Sequence, residues 1–422
     1  MDNKKLAVYG GPMAVRSGMR DRWRNVGWRE TLKIVWYAVR DINTHFSASG
    51  PVKKFEDDFA ALTDTRFALS MNSGTAALHS AYFAAGVNPG DEVIVPSYTF
   101  FASAAPILQC GARPVFCDID AKTMTADPED VAAKITDRTR AICVVHVWGN
   151  PAKMDRLVEV AREANVALIE DCSHAHGASY QGRPIGSWGD IGCFSLQGLK
   201  AVSGGEAGIA VTNNQEYFGR MLSLGHFGRT GNDTRQPSSL GKFSLGLKFR
   251  PHLYAMLLAE GSLPRLPELN RLRSRNYEIL REELKSCEAV DVVEEYPESK
   301  RGGFLEFLIR YHPEKCSGLN PGAFAAAVRA EGVPLKVDRY KPLHRLPPFN
   351  SDLSDYGGPI AGLGNLADSA PSHLPVTETV CGQMLSMPAF AKVPAERMRA
   401  AAVAIRKVAE LCANLHDFRI GA

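Results

Sequence analysis

The chain has 422 residues, 45% of them hydrophobic and 23% charged, with 49 Lys and Arg against 46 Asp and Glu, a formal charge of +3. So balanced a charge, with no basic stripe, argues against nucleic-acid binding, and no run approaches the roughly 20 apolar residues of a membrane span. Met1 to Gly11 lacks the apolar core of a signal peptide. The nine cysteines, scattered and odd in number, fit a reducing compartment better than a disulfide framework, so a soluble, cytoplasmic protein is expected.

The first fifty residues, read as an N-terminal arm, show little beyond Trp23, Trp28 and Trp36. From Val52 the pattern is regular: Phe55, Phe59 and Leu62 recur at helical spacing. A strand-like Phe67-Ala68-Leu69 leads to Asn72-Ser73-Gly74-Thr75 and a helix stopped by Gly86. Val93-Ile94-Val95 reads as a strand, Phe101 to Gln109 as a helix and Pro114-Val115-Phe116 as a strand. Helices near Pro128–Ile135 and Met154–Ala164 alternate with apolar runs at 141–145 and 166–169. Further strands are expected at 178–180, 192–196 and 208–211.

This alternation predicts an α/β domain with a mostly parallel sheet and helices on both faces. Residues 225–246 read as a polar, glycine-rich loop. Helices at 252–258 and 266–284, a strand near 304–309 and helices at 321–330 and 394–415 form a smaller C-terminal α+β unit. The expected division is 1–250 and 251–422, with a long Pro/Gly/Ser-rich loop between Tyr340 and His373.

There is no Gly-x-Gly-x-x-Gly after a strand, no Walker-type phosphate loop, no His-Glu-x-x-His and no Cys-x-x-Cys. Four features remain. Ser73-Gly74-Thr75 opens a helix, whose exposed N–H groups favour an anion, although for this motif alone Ser73 as a simple cap is the better reading. Ser97 to Phe101 follows a strand, where an aromatic covers a planar ligand or packs in the core. Ile169-Glu170-Asp171-Cys172-Ser173-His174-Ala175-His176 ends a strand in a carboxylate that needs a partner. Its alternating side chains cannot converge on one ion without a sharp turn, so no metal is expected. Finally, Ser195 to Lys200 precedes a Gly-rich turn, where an enclosed lysine becomes a Schiff-base nucleophile and an open one is merely solvated. An anion cradle, an aromatic, a carboxylate and a lysine together match what pyridoxal phosphate requires.

With these motifs the chain resembles the DegT/DnrJ/EryC1/StrS family of fold-type-I pyridoxal-phosphate enzymes, which aminate keto-sugars and keto-cyclitols. The likeness extends from Ser49-Gly50-Pro51 to Pro342-Leu343-His344, Leu374 to Glu378 and Leu385 to Pro388. It implies that Lys200 forms the internal aldimine and shuttles a proton, and that Asp171 keeps the pyridine nitrogen protonated. It further implies that Phe100 stacks on the ring, that His174 lies beside the 3-hydroxyl, and that Gly74, Thr75 and Ser195 bind the phosphate. His344 falls in a segment that approaches substrate, and Arg250 is a candidate substrate contact.

The chain departs from the family pattern in three places. Lys248-Phe249-Arg250 stands where the family often has Asn-aromatic-Arg reaching the neighbouring subunit's phosphate, so Lys248 is assigned to cofactor binding in place of that asparagine. Ala207 interrupts the usual Gly-Glu-Gly-Gly, and His176 offers a second histidine beside His174.

The implied activity is a ping-pong aminotransferase. It takes nitrogen from glutamate or glutamine and gives it to a keto-sugar, nucleotide-linked, within a homodimer of shared active sites. For a nucleotide diphosphate, Arg229, Lys248, Arg250 and Arg339 are available cations. A free keto-cyclitol is the alternative acceptor. A sugar dehydratase of the same family is disfavoured by retention of Lys200, because dehydratases carry histidine there. A silent sensing homologue is disfavoured by retention of both Lys200 and Asp171.

Overall fold

A computed structural model describes residues 5–16, 18–21, 23, 25–42, 49–229, 243–337, 340–368 and 373–415. Seven strands form the main sheet: β1 (Phe67–Met71), β2 (Glu92–Pro96), β3 (Arg113–Cys117), β4 (Thr139–Val145), β5 (Ala167–Asp171), β6 (Ile191–Ser195) and β7 (Gly208–Thr212). Their spatial order is β1-β7-β6-β5-β4-β2-β3. The β2–β3, β2–β4, β4–β5 and β5–β6 pairs are parallel, whereas β7 runs antiparallel to both its neighbours. Apolar runs such as Val93-Ile94-Val95 and Ala141 to Val145 are buried throughout, as a strand covered on both faces requires. The α/β class expected from the alternation is what the chain adopts. The expected strand at 178–180 is Ser179–Tyr180, which joins a separate small sheet with Arg183–Pro184 and Ser299–Lys300.

Three helices pack against β1 and β7. α1 (Gly50–Thr63) buries Phe55 and Phe59, and α2 (Gly74–Ala84) follows β1. α3 (Gln215–Gly225) follows β7, capped by Asn214 Oδ1, which accepts from Glu216 N and Tyr217 N. Sequence reading did not anticipate α3. The predicted helix at 101–109 is instead a 3-10 turn, Phe101–Ser103, followed by Ala105–Gln109, because Pro106 cannot donate into a helix interior. Part of the predicted 225–246 loop, 230–242, lies outside the described residues.

The second sheet is antiparallel: β8 (Val290–Val292), β9 (Glu306–Tyr311), β10 (Lys336–Val337) and β11 (Met384–Pro388), in the order β8-β9-β11-β10. The chain passes between cores later than residue 250. Leu253, Met256, Leu257, Leu266 and Leu269 pack in a core with Phe59 and Phe194, and the second core begins with Tyr277. Leu6, Val15 and Met19 from the N-terminal arm pack into that second core. The stretch from Tyr340 to His373 is not a plain loop where described: it makes short helical turns and sinks Leu343, Phe349, Leu353, Leu363 and Leu366 into the main-sheet core.

Candidate active site

The carboxyl ends of β4, β5 and β6 surround a cavity of about 410 Å³. Its lining includes Gly74, Thr75, Phe100, Asp171, His174, Ser195 and Lys200, so seven residues from four separate sequence motifs meet in one place. This is the crevice where ligands bind in open α/β sheets.

At one end stands the start of α2. Ser73 Oγ accepts from Ala76 N at 3.0 Å, which leaves the amides of Gly74 and Thr75 in the first turn, where a helix offers them no acceptor of its own. A Cβ at position 74 would come within 2.8 Å of Ser195 Cβ, and one at position 208 within 2.2 Å of the Ser73 carbonyl. Glycine is therefore required at both points to let β6, β7 and the helix start close into a cradle. An anion is the natural occupant of such a cradle.

Asp171 ends β5, is almost fully buried and is held at both oxygens. Ser173 N donates to Oδ1 at 3.0 Å, and Ser103 Oγ donates to Oδ2 at 2.7 Å. Ser103 is itself set by Thr99 Oγ1 at 2.9 Å, and Tyr82 Oη donates to its carbonyl at 2.6 Å. Lys200 sits in the turn after β6, where its backbone N–H donates to the Gln197 carbonyl at 2.8 Å. The ends of that turn are pinned by Leu196 N to Ala207 O and Gly204 N to Leu196 O, each 2.8 Å. Ala207, which replaces the family glycine, is fully buried and absent from the positive-φ positions, so alanine suits that backbone.

His174 is buried, its Nδ1 accepting from Trp148 N at 3.1 Å and its Nε2 lying 3.3 Å from Tyr340 Oη. Trp148 holds a left-handed backbone, φ 54°, which costs a non-glycine residue about 1–2 kcal/mol. His176 does not join the lining. It packs edge-on to Phe59 and beside Phe194.

Three predicted residues lie outside the lining. His344 is buried, with Nδ1 2.8 Å from Ser97 Oγ and Nε2 2.9 Å from Glu378 Oε1. Both ring nitrogens are thus spent, one tying the 342–344 motif to Ser97 after β2 and the other tying it to the 374–378 motif. Burial also pushes its imidazole below the ordinary range. Lys248 is exposed beside the start of α2, its carbonyl accepting from Asn72 Nδ2 at 3.2 Å. Arg250 is half-buried. Arg229, offered above as a cation for a diphosphate, is committed to a buried, bidentate pair with Glu56 at 2.8 and 2.9 Å. Arg339 lies outside the described residues.

Sequence reasoning missed Ser103, Trp148, Leu305 and Tyr340. Of these only Ser103 had a local signal, one turn after Thr99.

The fold and this cavity define an α/β enzyme of the aminotransferase type. The chain belongs to the DegT/DnrJ/EryC1/StrS aminotransferase family, whose model matches residues 37–406. A Micromonospora echinospora protein assigned as an L-glutamine:3-amino-2,3-dideoxy-scyllo-inosose aminotransferase is 33% identical over 380 residues, 89% of this chain and 90% of that one. GDP-perosamine synthase of Escherichia coli O157:H7 is 41% identical over 181 residues, 43% of this chain and 50% of the other. Among solved structures, DesI in the presence of its TDP-sugar product superposes with a TM-score of 0.80 at 29% identity, covering 97% of this chain and 98% of that one. No helix among the described residues is long and apolar enough to cross a membrane.

Proposed function

We propose that this chain is a pyridoxal 5'-phosphate-dependent aminotransferase that moves the amino group of glutamine onto a ketone of a polyhydroxylated ring, in the cytoplasm. The carrying observation is the convergence of an anion cradle, a buried and oriented carboxylate and a lysine on one cavity. These residues fit the cofactor. The Gly74 and Thr75 amides with Ser195 would hold its phosphate, and Ser195 can stand this close to the helix start because position 74 has no Cβ. Asp171, oriented by Ser103 and Ser173, would keep the ring nitrogen protonated. Phe100 would cover one ring face, and His174 would face the ring oxygen. When bound, the cofactor supplies an electron sink for negative charge at the carbon bearing nitrogen. Lys200 Nζ would anchor it and then take and return the proton at that carbon.

Glutamine as donor is supported by the name of the Micromonospora relative. For the acceptor, Lys200 is the one Lys or Arg among the described residues lining the cavity, and in this reading the cofactor engages it. Among the described lining residues of one chain a diphosphate would find no other cation, which favours a free keto-cyclitol. The second reading, a nucleotide-linked keto-sugar, draws on the likeness to DesI with its TDP-sugar. In either reading a second copy of the chain completes the site. Phe100, Phe101 and Leu199 remain exposed at or beside the cavity, as a covered interface would explain, and Lys248 is assigned to the partner's phosphate.

The test is the visible spectrum of purified protein with added pyridoxal phosphate, then with glutamine or glutamate, followed by mass spectrometry of products from a scyllo-inosose-type ketone and a nucleotide-diphospho-ketosugar. A cofactor band bleached by glutamine, with amination of the cyclitol, is expected. Amination of the nucleotide sugar alone selects the second reading, and folded protein that yields no band overturns the cofactor assignment.

A further inference from the structure

Trp148, Tyr340 and His174 come from three distant parts of the chain and stack together at the cavity wall. The Trp148 ring lies 4.8 Å from that of Tyr340 at 28°, and the His174 ring is within 12° of parallel to Tyr340. The Trp148 backbone N–H can only donate, so at 3.1 Å it fixes Nδ1 of His174 as the acceptor. The ring proton then sits on Nε2, the nitrogen that faces Tyr340 Oη.

Several features hold this arrangement. The left-handed turn at Trp148 aims its N–H, and the indole N–H anchors that turn by donating to Tyr98 Oη at 3.0 Å. Gly149 and Gly303 let neighbouring backbone close in: a Cβ at 149 would meet the Gly302 carbonyl at 2.0 Å, and one at 303 the His174 carbonyl at 2.1 Å. A buried aromatic in an unfavourable backbone region, enclosed by glycines, is the kind of constraint that accompanies function.

We propose that the Trp148 amide is a positioning group that locks His174 as the Nε2–H tautomer, with Tyr340 Oη accepting from that N–H, so that Nε2 never accepts a proton. Tyr340 and His174 both line the cavity. His174 therefore takes no proton at Nε2, and proton transfer is left to Lys200. The last step rests on the function proposed above; the tautomer does not.

The first experiment is a multiple-bond ¹⁵N–¹H correlation spectrum of the full chain labelled at histidine, recorded with and without pyridoxal phosphate, the His174 signal being assigned by its loss in H174Q. A pyrrole-like Nε2 and a pyridine-like Nδ1 at neutral pH are expected in both states. The Nδ1–H tautomer, or a doubly protonated ring, overturns the proposal.

The second is Tyr340→Phe. Its unfolding midpoint and the His174 tautomer should stay as in the parent, since the Trp148 amide remains. Acceptor kcat/KM should fall roughly tenfold, as for one lost hydrogen bond, and the pH titration of the bound-cofactor absorbance should move. An unchanged titration and kcat/KM remove Tyr340 from the proposal. Protein that takes up no cofactor refutes the proposed function but leaves the cofactor-free tautomer measurement intact.

Discussion

Glu170 and Asp171 are consecutive carboxylates at the end of β5, and strand alternation sends them to opposite faces of the sheet. Glu170 lies in a closed network: it accepts from Gly189 N at 2.7 Å, Gly186 N at 2.9 Å and His146 Nε2 at 3.1 Å. His146 uses its other nitrogen to accept from Ala152 N at 3.0 Å. With Cys172 these side chains bring three ligand-type atoms within 4.8 Å of one another. Even so, both nitrogens and both carboxylate oxygens are already spent, and burial pushes the Cys172 thiol well up, away from the thiolate a metal needs. Asp171 is oriented by two donors yet turned to a cavity. Closeness of polar groups is common to both regions. What separates the site from the frame is whether the groups face open space once their local partners are satisfied.

Substitutions on the two sides should separate activity from stability. Lys200→Ala has the largest expected effect, a loss of at least about a thousandfold in turnover with an unchanged unfolding midpoint. Steady-state rates beside a thermal scan decide it, and turnover near the parent value would remove Lys200 from the chemistry. Asp171→Asn keeps the shape and the Ser103 and Ser173 neighbours but removes the charge, and should cost about a hundredfold in rate. Full activity in that variant would make Asp171 a frame residue like its neighbour.

Glu170→Gln should do the reverse. An amide NH₂ would replace one of two oxygens that together meet three N–H donors, at a cost of about 1–3 kcal/mol of stability, while the rate per folded molecule is kept. Denaturant unfolding and active-site titration measure the two quantities separately. A variant as stable as the parent would show that the network is not tight.

The site was legible where its chemistry is local. Gly74, Asp171 and Lys200 each stand in a short motif at the end of an apolar strand, and the parallel sheet alone brings such ends together. Tyr340 was not legible, because 166 residues separate it from His174 and its neighbours read as loop. Trp148 was hidden for another reason: its contribution is a backbone N–H aimed by a left-handed turn, which no side-chain pattern reports. His344 illustrates the reverse case, a motif residue that lies outside the cavity lining with its ring bonded to Ser97 and Glu378. The same limit applies to the fold. Alternating strands and helices announced the main sheet, but Leu6, Val15 and Met19 joining the second core is a long-range fact with no periodic signature. Helix α3 had its signal in Asn214 and the Phe218, Met221, Leu222 spacing, weakened by Gly219 and Gly225.

The smallest effect expected concerns His176 and His226, both on the frame side and fully buried. Loss of hydration pushes each imidazole down to about 3, with Lys200 adding to this for His176 and Arg229 for His226. An unfolded chain protonates these rings near 6.5. Between those two values the unfolded state therefore binds more protons than the folded one, and stability must fall as pH falls through that window. Each ring contributes at most about 1.4 kcal/mol per pH unit, and its contribution to the slope fades as pH rises above 6.5. His176→Leu retains a side chain of similar bulk beside Phe59 and Phe194 but deletes one titrating group. Denaturant unfolding at pH 7, 6 and 5 should show a shallower decline in the variant, with little difference at pH 7. Parallel declines would mean that water reaches His176 in the folded protein. It would then belong with His174 on the cavity side of the comparison.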